Sequence, residues 1–350
     1  MTLKDALIER IRSVGPMSLN DYMAECLMHP QFGYYATRDP FGEDGDFITA
    51  PEISQMFGEL LGLCLAQAWM DQGAPESFVL AEIGPGRGTL MADLLRATRR
   101  VPGFHDALDL HLVEASPALR RKQQEVLGDA TWHDSIEDLP EKPLFLIANE
   151  FFDALPIRQF VRDGNAWSER LVGLDESGLS YGLGAPTEQP ALVDRLKDTE
   201  EGDMVELCAA AVPIAHHIGA LIKRNGGVAL IVDYGDWRSL GDTFQALASH
   251  TEVDPLDAPG LADLTAHVDF ELLCAATPSK FSRVTPQGVF LERLGITQRA
   301  QTLAKMMEPV QLEQHINAHR RLTHPEEMGN LFKVVAFYPE GATPPPGVEA

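Results

Sequence analysis

The sequence predicts an α/β fold built on a mostly parallel sheet, and three observations carry that prediction. Between residues 76 and 155 four apolar runs (78–80, 108–113, 130–132 and 144–148) are bounded by turn residues, with helical spacing between three of them. Strands that alternate with helices form a parallel sheet with right-handed crossovers. A fifth run, 228–232, follows a helical stretch near 204–225 that stops at Asn225-Gly226-Gly227, and a last strand, 332–337, closes the pattern.

The first strand leads into Ala81-Glu82-Ile83-Gly84-Pro85-Gly86-Arg87-Gly88-Thr89, and helical apolar spacing resumes over 89–96. Glycines at alternate positions in a strand-to-helix turn let something approach the backbone closely. Free N–H groups and the helix dipole make that turn attractive to an anion. A dinucleotide fingerprint needs G-x-G-x-x-G; Gly84 and Gly86 fit it, but Thr89 stands at the third position. No G-x-x-x-x-G-K-[ST] is present, so a P-loop is excluded. Glu82, Gly84, Gly86 and Gly88 instead spell E-x-G-x-G-x-G. That pattern is similar to the S-adenosylmethionine (SAM) turn of class I methyltransferases, where the anion is the methionine carboxylate. A plain tight turn is the competing reading.

The second strand ends at Glu114. An acid at that tip accepts hydrogen bonds from ribose hydroxyls, or it flanks the helix that starts near Ser116-Pro117. The third strand ends at His133-Asp134-Ser135. Asp134, with Ser135 beside it, stands where such folds read adenine; a helix N-cap is the alternative. The fourth strand runs into Asn149-Glu150, with Asp153 three residues on. Asp233 and Tyr234 end the fifth, where they either line the same pocket or form a turn.

Composition narrows the classes. The 350 residues suffice for one large or two modest domains. With 28 Lys and Arg against 52 Asp and Glu, the formal net charge is −24, which repels phosphate backbones; no basic patch offsets it. Nucleic acid is not an expected partner, whereas a basic, arginine-bearing protein suits such a surface. Cys26, Cys64, Cys208 and Cys274 are scattered and read as thiols, and the adjacent His216-His217 point in different directions, so no metal site is expected. No apolar run is long enough for a membrane span. The amphipathic N-terminus carries Asp5 and Glu9, and transit peptides avoid acids, which leads to the expectation of a cytoplasmic protein.

Three regions follow. Residues 1–75 read as an N-terminal helical cap, including Phe32-Gly33-Tyr34-Tyr35, a Gly/Asp-rich loop over 41–52 and an apolar helix over 53–70. That loop is either a lid over a cofactor or a packed connector. Residues 76–338 hold the α/β domain, with an antiparallel meander inserted at about 157–200 and signalled by turns such as Asp163-Gly164-Asn165. Residues 339–350 read as a disordered tail.

Eight stretches, in order along most of the chain, carry a resemblance: GYY, GDFITAPEISQMFGE, EIGPGRGTL, VEASPALRRKQ, NEFFDALP, IVDYG, DLTAHVDF and MGNLFKVV. Together they resemble the MidA-like family of class I SAM-dependent methyltransferases, whose mitochondrial relatives are assembly factors of respiratory complex I. The resemblance implies a seven-stranded class I (Rossmann-like) sheet, SAM as cofactor and, for the mitochondrial members, methylation of an arginine on a complex I subunit. Glu82, Gly84, Gly86, Gly88, Glu114, Asp134, Ser135 and Asn149 are then the expected cofactor residues. Glu150 and Asp153 look like the start of an acidic loop that grips a guanidinium; the second glutamate of that loop has no match here. Carboxylates suit arginine, whose planar fork they bind in bidentate fashion. Alternatively, Asn149 and Glu150 cap a turn and touch the cofactor. A small-molecule methyltransferase and a SAM-binding assembly factor without catalysis stay open beside the arginine reading.

Overall fold

Six consecutive buried positions in Phe78–Ile83, and six more in Leu144–Asn149, require a cover on both faces of each strand. Central strands of a parallel sheet meet that requirement. The computed structural model describes residues 2–37, 49–248 and 250–350. It sets these two strands side by side. Residues 41–48 of the expected lid, with most of the GDFIT stretch, lie outside the described residues.

The chain divides into two compact units, and one of them (Ile48–Phe152, Pro213–Gly235 and Phe270–Ala350) carries the main sheet. The seven strands along its main path are β1 (Phe78–Ile83), β2 (Leu108–Val113), β3 (Thr131–His133), β4 (Leu144–Asn149), β5 (Gly227–Asp236), β6 (Lys280–Phe281) and β7 (Phe332–Tyr338). Among the described residues two further short strands join the nine-stranded sheet off that path, Thr285–Pro286 among them beside β7. The seven follow the order β6-β7-β5-β4-β1-β2-β3. β1 to β5 are mutually parallel where they pair, whereas β7 runs antiparallel to β5 and β6 antiparallel to β7. The strand order reverses between β1 and β4. In open α/β sheets, ligands bind at the carboxyl ends of strands flanking such a reversal.

Helices that bear on the site include α1 (Ala50–Ile53), α2 (Gln55–Asp71), α3 (Thr89–Thr98), α4 (Pro117–Leu127), α5 (Ala211–Asn225) and α6 (Ile296–Ala304). The single helix expected over 53–70 is interrupted at Ser54, whose extended backbone ends α1 and whose side chain caps α2 through Met56 N. α2 packs directly onto α3 because it presents glycine there. A Cβ on Gly58 would stand 2.8 Å from the Leu90 carbonyl oxygen, and one on Gly62 2.7 Å from Leu94 Cγ. The buried Glu59 carboxylate then holds Arg96 of α3 and Arg299 of α6 at 2.7–2.9 Å.

The tail beyond 338, expected to be disordered, is packed. Val348 is buried, Gly347 lies against Phe290, and Cys64 Sγ donates to the Pro346 carbonyl at 3.3 Å. Proline and glycine mimic a disordered composition, but the apolar Val348 found a place in the core.

The other unit comprises Met1–Phe47, Asp153–Val212 and Asp236–Asp269. Helix Leu3–Val14 buries Leu3, Leu7 and Ile11, a 3.6-residue stripe capped at Thr2 by Asp5 N. Strands Met17–Ser18, Ala166–Leu174, Arg158–Asp163 and Met204–Leu207 pair antiparallel in that order, and Leu179–Leu183 joins Ala166–Leu174. The helix expected from 204 therefore starts later, at Ala211. Residues 204–207 are drawn into the sheet, where buried Glu206 accepts from Gln159 Nε2 at 2.8 Å and Thr243 N at 3.0 Å. The N-terminal segment is thus shared: residues 2–37 belong to this unit and α2 to the other.

Candidate active site

At the end of β1 the chain turns through Gly84, Gly86 and Gly88, at φ of +63°, +53° and +83°. This left-handed region suits glycine. A Cβ on Gly84 would stand 3.1 Å from Phe151 Cδ2, so the turn is also tightly covered. Gly88 is the N-cap of α3 and offers no side chain to its first-turn N–H groups. Those donors are left for an anion. Thr89 Oγ1 donates to Glu52 Oε1 at 2.6 Å, which fixes α1 beside this helix start.

Two buried acceptors at the neighbouring tips of β1 and β4 have no hydrogen-bond partner among the described residues: Glu82 Oε2 and Asn149 Oδ1. Burial pushes the Glu82 carboxyl up to about 8. An orphaned buried acceptor costs about 1–3 kcal/mol. Acceptors kept at that cost beside an anion-binding turn fit a zwitterionic ligand with its own cationic donor. The α-amino acid end of SAM is such a group.

The strand tips expected to meet ribose and adenine are more heavily cross-braced than the sequence suggested. Glu114 is partly buried, and that burial raises its pKa; its carboxylate accepts from Ser116 N at 2.7 Å and Gln123 Nε2 at 3.3 Å. It therefore does flank the helix start while also facing the turn's brace. Gln123, fully buried on α4, donates to the Gly86 carbonyl at 2.7 Å and accepts from Trp132 Nε1 at 2.8 Å. Arg120 Nε donates to the Glu114 carbonyl at 2.6 Å, and its NH2 pairs with Asp134 at 2.5 Å. Asp134 is exposed, while Ser135 Oγ donates to the Glu137 carboxylate and does not cap the short helix after it. Gln123 and Arg120 went unnoticed in the sequence. Their only signal was membership in the VEASPALRRKQ stretch.

At the tip of β4, Glu150 adopts φ +49°. Its Oε1 accepts from Ala50 N and Asn149 Nδ2, both at 3.0 Å. Asp233, at the tip of β5, is fully buried and accepts the N–H groups of Phe151, Phe152 and Tyr234 at 2.9–3.2 Å. It braces the backbone. Asp153 falls in the other unit, where it is buried and its carbonyl accepts from Ala266 N at 3.0 Å. Tyr35 of the same unit donates to Asp263 at 2.8 Å. Burial first, then the charges of Asp263 and Asp153, push its phenol well above its ordinary pKa. The structure thus gathers the glycine turn, Glu82, Glu114, Asn149 and Glu150 in one unit and sets Asp153 in the other.

Comparison with known proteins settles the family. Residues 60–288 match a family model described as "Putative S-adenosyl-L-methionine-dependent methyltransferase". The chain belongs to this methyltransferase family. It is 38% identical to zebrafish (Danio rerio) protein arginine methyltransferase NDUFAF7, mitochondrial, over 93% of this chain and 84% of that protein. Against the human protein of the same name the identity is 36%, over 95% and 82%. A crystal structure of a COG1565 superfamily member from Burkholderia thailandensis, bound to S-adenosyl-homocysteine, superposes with a TM-score of 0.83 at 31% identity. That match covers 96% of this chain and 91% of the other. The class I fold, the SAM cofactor and the methyltransferase activity read from the sequence therefore stand.

The cytoplasmic expectation does not. The zebrafish, cow and human relatives are named mitochondrial. The inference failed because Asp5 and the amphipathic stripe serve to cap and pack a folded helix of this methyltransferase. They carry no information about compartment. Among the described residues no helix is long and apolar enough to cross a membrane.

Proposed function

We propose that this methyltransferase transfers a methyl group to an arginine of a protein substrate. In this reading Glu150 holds the guanidinium, and Glu82, Gly84, Gly86, Gly88, Glu114, Asp134, Ser135 and Asn149 serve the cofactor. Bound SAM supplies an electrophilic methyl on a sulfonium. What the chain must add is alignment and exclusion of water. The observation that carries the proposal is Glu150 itself: an acid in a left-handed conformation at a central strand tip, adjoining the Phe151 ring that covers Gly84. Ala50 N and Asn149 Nδ2, both neutral amides, orient the carboxylate through Oε1. An oriented acid suits the guanidinium fork, which keeps its charge before and after transfer because the nitrogen that gains the methyl gives up one N–H proton. Asp153, the other acid of the expected pair, is buried and is given no role in this reading.

The names of the curated relatives support arginine as the acceptor. Within proteins, a respiratory complex I subunit is the acceptor that the family resemblance favours. Incubation with labelled SAM and extract from cells lacking the enzyme, followed by hydrolysis and mass spectrometry, should find methylarginine. Glu150→Gln should keep S-adenosyl-homocysteine binding while transfer falls by roughly a hundredfold, on the order of 3 kcal/mol of transition-state stabilisation. Methyl on lysine, a carboxyl group or a small metabolite would overturn the arginine assignment.

A further inference from the structure

The chain bends sharply where β4 ends. Among the described non-glycine residues, only Ala74 and His250 share the positive φ of Glu150, and neither ends a strand of the main sheet. Such a conformation persists only where surrounding contacts over-determine it. Here the contacts converge on Asp233. Its Oδ2 accepts from Phe151 N at 3.2 Å and Phe152 N at 3.0 Å, while Oδ1 accepts from Tyr234 N at 2.9 Å. Glu150 N donates to the Val232 carbonyl at 2.9 Å and ties the start of the same bend to β5. Hydrogen bonds from backbone N–H groups to an ionised carboxylate are among the stronger ones.

The bend places two side chains at once. It turns the Glu150 carboxylate to Ala50 N, and it lays the Phe151 ring over Gly84, 3.1 Å from where a Cβ would be. We infer that Asp233 is a positioning residue for methyl transfer, setting the Glu150 carboxylate for the acceptor through the backbone of 150–152. This inference rests on the acceptor role proposed for Glu150. Asparagine at 233 would turn one acceptor oxygen into a donor that meets N–H groups. The bend would loosen without loss of volume.

The test is a double-mutant cycle of Asp233→Asn and Glu150→Gln in the full chain. It is read by labelled methyl transfer from SAM to extract protein of cells lacking the enzyme, and by calorimetry of S-adenosyl-homocysteine. Asp233→Asn is expected to lower transfer by roughly tenfold or more, yet to change the rate less than about twofold when Glu150 is already glutamine. Losses that multiply would show Asp233 acting independently of Glu150 and would overturn the inference. So would an Asp233→Asn enzyme with parental transfer beside an impaired Glu150→Gln. If Glu150→Gln transfers normally, the acceptor reading of Glu150 falls, and this inference falls with it. Should Asp233→Asn not accumulate as folded protein, Asp233→Glu, which keeps the charge one methylene further out, replaces it in the same cycle.

Discussion

The side-chain amide of Gln123 donates to the main-chain carbonyl of Gly86 at 2.7 Å. The same nitrogen reaches Glu114 Oε2 at 3.3 Å, so one buried group ties the anion-binding turn to the ribose-side acid. Gln123→Leu would keep much of the volume and leave the Gly86 carbonyl and Trp132 Nε1 without this partner. Thermal denaturation should show a loss of about 1–3 kcal/mol, and calorimetry roughly tenfold weaker S-adenosyl-homocysteine binding. Parental affinity in that variant would reduce Gln123 to a core residue.

The cofactor role proposed for Glu82 predicts that affinity depends on pH. Burial pushes its carboxyl up to about 8, so at neutral pH the ligand-free protein holds it mostly protonated. Facing a cationic ammonium favours the ionised form. Affinity for SAM is therefore expected to rise with pH up to about 8, with a proton released on binding. Stability of the ligand-free protein runs the other way. A carboxyl with a raised folded pKa keeps its proton longer folded than unfolded, so stability falls as pH climbs from the ordinary carboxylate range toward about 8. Calorimetry in buffers of different ionisation enthalpy would count the proton, and Glu82→Gln should flatten both profiles. A wild-type profile already flat across this range would refute the assignment.

Glu114 should matter through hydrogen bonds to ribose. Glu114→Ala is expected to weaken SAM by about 1–3 kcal/mol, and Glu114→Gln by less, since its amide retains one acceptor oxygen. Both variants lose the charged acceptor for Ser116 N as well, so a melting curve should accompany each affinity. If affinity holds while the melting temperature drops, Glu114 serves only the helix start.

Gly86→Val should abolish S-adenosyl-homocysteine binding. Its φ of +53° is strained for a β-branched residue, and the new side chain would enter the space where the backbone meets the ligand. NAD should bind neither protein. Measurable NAD affinity in the parent would undo the reading of the glycine spacing.

The sequence revealed the sheet because its strands are buried on both faces and so read as unbroken apolar runs. β1 and β4 are the clearest cases, and the glycine turn is legible because positive φ leaves few alternatives to glycine. The 204–207 strand was hidden for the opposite reason: its partner, Arg158–Asp163, lies about forty residues upstream, and its own pattern fits a helix. Val348 was hidden likewise, as a lone valine among prolines and glycines whose packing site is made by distant helices.

A similar line runs through the site. Spacing along the chain marks Glu82, Gly84, Gly86, Gly88, Glu114, Asp134, Ser135 and Asn149 as candidates, since each sits at or next to a strand tip or in the turn that follows one. It identified the cofactor class for the same reason: a local backbone motif encodes its own ligand. It did not mark Gln123 or Arg120, which act by hydrogen bonds to backbone or side chains of other elements, and it left Asp233 between lining a pocket and forming a turn. Nor did it separate Glu150 from Asp153. Three residues apart, the two acids look equivalent on paper, yet Glu150 is held at the cofactor-side strand tip while Asp153 is buried with the other unit. Local motifs are written in consecutive residues, whereas a side chain's partners exist only once distant strands and helices have packed.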